Sequence, residues 1–80
     1  MWNQLPKYKP ISGDKTIKIL CNEFEFKITG QSGSHVRLAK ITPSGRVGTV
    51  VPRHKELKEG TLKGILELAR IDYEEFLKFY

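Results

Sequence analysis

The apolar residues of this chain change their spacing twice, and that change limits the fold more than any single motif does. Ile17, Leu20 and Cys21 recur at i, i+3, i+4, a helical stripe that Ser12 can cap and Asn22, tolerant of the left-handed conformation, can end. From Phe24 the period is two: Phe24, Phe26 and Ile28 alternate with Glu25, Lys27 and Thr29, as in a half-buried strand with its aromatic side inward. Gly30-Gln31-Ser32-Gly33 reads as a turn. A second strand, Ser34 to Ile41, buries Val36 and Leu38 and leaves His35 and Arg37 on the other face. Thr42-Pro43-Ser44-Gly45 is a hairpin loop before a third strand, Val47 to Val51, which Pro52 stops.

Helical spacing then returns. After a polar connection from Arg53 to Gly60, Thr61 can cap a helix carrying Leu62, Ile65, Leu66 and Ala69 on one face. Asp72 with Glu75 resembles a capping box, and a last helix is expected to run to the end with Tyr73, Phe76, Leu77 and Tyr80 inward. The order is helix, three strands, two helices. It predicts one α+β domain over residues 1–80: a three-stranded antiparallel sheet with helices on one face and the other face open. Residues 1–11, with two prolines and no clear period, are expected to form an extended lead-in whose Trp2 and Tyr8 pack on the domain.

At 80 residues the core must be small, which disfavours an enzyme built around a buried cofactor. One cysteine cannot form an internal disulfide, so a reducing compartment is expected. No long apolar run is present, which predicts a cytoplasmic protein with neither signal peptide nor membrane span. Cys21 lies on the apolar stripe and reads as a small hydrophobe. Two histidines and one cysteine show no metal-ligand spacing, and the glycines fit neither a dinucleotide fingerprint nor a P-loop. No metal or cofactor is expected.

The net charge of +5 is concentrated. Residues 26–55 hold Lys27, Arg37, Lys40, Arg46, Arg53 and Lys55 with no Asp or Glu, and both histidines lie there too. Such a segment attracts polyanions, so nucleic acid is the first partner to consider. His35 follows a Gly33-Ser34 step that allows close backbone approach, and it shares its face with Arg37. Neighbouring cations favour a neutral imidazole, and a neutral base beside bound phosphate can deprotonate a ribose 2′-hydroxyl without metal. His54, between Arg53 and Lys55, could protonate the leaving oxygen or touch phosphate.

Pro10-Ile11-Ser12-Gly13, Gln31-Ser32-Gly33-Ser34-His35, the block from Val51 to Leu62 with Ile65-Leu66, and Ile71 through Phe76 with its paired glutamates follow one another in the chain. Together they resemble the HicA-like toxins, small messenger-RNA interferases of type II toxin–antitoxin modules. The resemblance implies a double-stranded-RNA-binding-domain-like fold, metal-independent cleavage of messenger RNA, and neutralisation by a HicB-like antitoxin. It also implies that His35 is catalytic. On this reading Arg37, Lys40 and Arg53 bind phosphate, and Ser34, His54 and Lys55 complete the RNA contacts. Two departures stand out: Asn22-Glu23-Phe24 where the family usually has glycine before the aromatic, and Gly30 where it often has a basic residue. Two other functions fit the same residues, a non-catalytic RNA-binding module and a domain that chiefly binds an antitoxin.

Overall fold

The structure, a computed structural model, describes residues 8–80. Helix α1 spans Gly13–Glu23, strands β1, β2 and β3 span Lys27–Ser32, His35–Thr42 and Gly45–Pro52, and helices α2 and α3 span Glu59–Ala69 and Tyr73–Leu77. The strands form one antiparallel sheet in the order β1-β2-β3. Val36, Leu38, Val47 and Val51 bury one face of it with Leu20, Leu62, Leu66 and Phe76 from the helices, while His35 and Arg37 are exposed on the other. This is the expected α+β sheet with helices on one side, and the order is consistent with a double-stranded-RNA-binding-like fold.

Ser12 caps α1 as expected, its hydroxyl accepting the Lys15 N–H at 3.0 Å. The buried face is rotated from the predicted one: Thr16, Ile19 and Leu20 go inside, and Ile17 and Cys21 are half-buried. Gly13 sets that rotation. It packs so closely on Pro52 that a methyl there would overlap the Pro52 carbonyl, which points positions 13, 16 and 20 at the sheet. The helix also ends later than Asn22. The Phe24 and Phe26 N–H groups both reach the Leu20 carbonyl, and the left-handed residue between them is Glu25, at φ 65°.

β1 therefore begins at Lys27 rather than Phe24. Phe26 is buried, and Ile28 keeps the predicted phase by pairing with buried Leu38, but at the edge of the sheet it is left 57% exposed. The ladder slips between Ile28 and Gly30, a bulge on an edge strand that breaks the alternation. Gly30 belongs to the strand, and the turn shortens to Gly33-Ser34 with Gly33 at φ 57°. α2 starts before Thr61, which is not its cap; Lys58 holds that position without a side-chain bond. The entry is fixed instead by buried Leu57, whose N–H donates to the Ile11 carbonyl at 2.8 Å.

Leu62, Ile65, Leu66 and Ala69 are buried as predicted. Asp72 caps α3 by accepting the Glu75 N–H at 3.3 Å, but this helix stops at Leu77 instead of running to the end. Tyr8 packs on the core and its hydroxyl donates to the Leu57 carbonyl, as the lead-in expectation required. Trp2 and the rest of residues 1–7 lie outside the described residues.

Candidate functional site

His35 opens β2, paired with Ser32 on β1 and Pro52 on β3, and it is exposed. It stays clear of the core because the Gly33-Ser34 turn puts position 35 on the face opposite Val36. Arg37 follows two residues along the same face, ~6.7 Å of strand away. Its guanidinium folds across Gly30, its direct partner on β1, and Nη1 donates to Ser32 Oγ at 3.3 Å. A side chain at position 30 would overlap that guanidinium. Among the described residues Arg37 makes no ion pair, so most of its five donors are free beside His35.

The remaining predicted contacts are spread out. Ser34 is exposed, and its carbonyl accepts the Arg53 N–H at 2.7 Å, which extends the ladder beyond Pro52. The Arg53 side chain is ion-paired with Asp14 at the start of α1, Nε to Oδ1 at 2.7 Å. Hydrogen bonding by Arg53 holds the Asp14 carboxyl below its ordinary range and raises the guanidinium correspondingly. His54 and Lys55 are exposed, and the His54 carbonyl accepts the Gly13 N–H at 2.8 Å. Pro52, the β3 partner of His35, thus lies two residues before His54.

Lys40 does not share the face of His35. It lies in the phase of Val36 and Leu38, its Nζ 4.9 Å from the Phe26 ring centroid and donating to the Phe24 carbonyl at 3.1 Å. Cys21 is half-buried, and desolvation raises its thiol pKa. Among the described residues no three His, Cys, Asp or Glu side chains gather where a metal could be held, and no helix is long and apolar enough to cross a membrane.

Sequence reasoning missed three features of this surface. The Asp14–Arg53 pair joins residues 39 apart, and no local pattern announces it. Gly30 read as a turn glycine, whereas its missing side chain makes room for Arg37. Glu25 read as an ordinary strand position, although it takes the conformation that glycine prefers.

The element order and the open face of the sheet define a two-layer α+β domain, and the order is consistent with the double-stranded-RNA-binding type. A family model described as the HicA toxin of bacterial toxin-antitoxin systems matches residues 13–71, and the chain belongs to that family. It is thus a toxin of a toxin–antitoxin module, with an antitoxin as its partner. No curated protein and no solved structure matches it.

Proposed function

We propose that this toxin is a metal-independent endoribonuclease acting on messenger RNA, with His35 as the general base. The observation that carries the reading is an exposed imidazole beside a guanidinium with no acidic partner among the described residues, on the open sheet face of a HicA-family chain. His35 takes the proton of the ribose 2′-hydroxyl, and the 2′-oxygen attacks the adjacent phosphorus. The bond to the 5′-oxygen breaks, leaving a 2′,3′-cyclic phosphate. His54 or water returns a proton to the leaving oxygen. Arg37 meets the charge that grows on the phosphate oxygens. Ser34, Arg53, His54 and Lys55 flank the strand, with Arg53 exchanging Asp14 for phosphate, while Lys40, held on the other face by the Phe24 carbonyl, takes no part in the RNA contacts. A HicB-like antitoxin neutralises the toxin by covering this face in the cytoplasm.

The test is labelled RNA incubated in EDTA with wild type and with His35→Ala. Wild type cleaves, and His35→Ala loses at least ~10²-fold, the lower range for general-base catalysis, without a change in melting temperature. Equal cleavage by the two proteins overturns the assignment. A non-catalytic RNA-binding module is favoured only by salt-sensitive binding that leaves the RNA intact.

A further inference from the structure

Four residues along β2 from His35, ~13 Å of strand, lies a hollow of about 420 Å³ whose lining includes Glu25, Lys27, Ala39, Ile41 and Arg46. The strand register explains it. Ala39 pairs with Lys27 on one side and with Gly48 on the other, so the floor is a methyl beside a residue with no side chain. Ile41 pairs with Arg46 and is 80% exposed, a large aliphatic wall on which none of the described residues packs closely. Directly paired and alternate residues project to one face, so Lys27, Ala39, Ile41 and Arg46 share the face of His35 and Arg37. The open face carries, in order, an imidazole, a guanidinium and then this hollow.

Glu25 differs in kind from the other lining residues. It is the one carboxylate among them, and the left-handed turn that ends α1, with φ 65° at Glu25, sets it beside the first residue of β1. Its carboxylate makes no ion pair among the described residues, although Lys27, Lys40 and Arg46 line the same hollow. An uncommitted acceptor at the rim of a basic hollow is placed to receive hydrogen bonds from a ligand that also brings negative charge.

We propose that the hollow is a base-reading subsite for the RNA strand and that it takes guanine. This rests on the ribonuclease reading above. Guanine presents two adjacent donors, N1–H and N2–H, that match the two oxygens of a carboxylate. Uracil offers one donor between two acceptors, which a carboxylate repels. Ile41 packs against the ring, while Lys27 and Arg46 hold the flanking phosphates. An acidic protein surface would also meet the cations, but it would repel Glu25, and this favours the nucleobase.

The experiment is to cleave a random-sequence RNA pool in EDTA and read the ends. Wild type enriches guanine about tenfold or more at one fixed position within a few nucleotides of the cut, the discrimination that a bidentate base contact gives. Glu25→Gln places an amide N–H against guanine and loses the enrichment at the positions it still cuts. Glu25→Gly loses it too, with an equal or higher melting temperature because glycine relieves the backbone. Absence of guanine enrichment in wild type, or its persistence in both variants, overturns the inference.

A second measurement does not depend on cleavage. Guanosine monophosphate titrated into His35→Ala shifts the amide signals of residues 25, 27 and 39–41 more than uridine monophosphate does, and equal or absent shifts count against the subsite. If wild type cuts nothing, the ribonuclease reading fails and this titration still tests the hollow. Loss of antitoxin binding in Glu25→Gln with base preference unchanged reassigns the hollow to the protein partner.

Discussion

Replacing Gly30 with alanine would push the Arg37 guanidinium off its seat while keeping both the charge and His35. The atoms that a methyl would overlap belong to the far end of a flexible side chain, so the arginine moves and the backbone does not. The expected result is cleavage of RNA lowered about tenfold with the melting temperature unchanged, measured beside Arg37→Ala, since a displaced donor near the reacting phosphate loses much of its worth. Wild-type rates in Gly30→Ala would show that Arg37 needs no seat. At this scale legibility in the sequence was uneven. His35 and Arg37 could be placed on the open face because alternation with Val36 and Leu38 is local information. Gly30 and Glu25 could not, because the one acts through a neighbour across the ladder and the other holds a conformation its residue type disfavours.

Between elements, the Asp14–Arg53 pair ties the first turn of α1 to the chain leaving β3. Asp14 has its pKa lowered in the folded state, so the stabilisation from the pair is complete above the ordinary carboxylate value near pH 4 and is lost as pH falls below it. Asp14→Asn should therefore flatten the acid limb of the stability–pH curve by lowering the neutral plateau toward the acid value, a small change because both side chains are exposed. Thermal melts from pH 7 down to pH 2.5 would show it; identical acid limbs would mean that the pair contributes nothing. Helix faces were legible where a stripe of large residues is unambiguous, as in Leu62, Ile65 and Leu66. Boundaries were less so: α2 begins where Leu57 is pinned to Ile11, a contact across 46 positions, rather than at the better capping residue Thr61.

For the whole molecule, the two changes of hydrophobic period were enough to predict a sheet with one covered face and one bare face. The site on the bare face was legible only in part, since its charge partners come from distant segments. One consequence concerns how the chain closes on itself. The Tyr80 hydroxyl donates to the Lys9 carbonyl at 2.9 Å, and Tyr8 is anchored at Leu57, so residues 8 and 80 lie near one another. A circularly permuted protein, spliced from 80 to 8 through a short glycine-serine bridge and opened in the exposed Pro43-Ser44 turn, should retain the native circular dichroism spectrum. Such a permutant would carry its new ends at the tip of the β2–β3 hairpin, where a fluorophore or affinity handle could be mounted without touching the clasp between Tyr80 and Lys9.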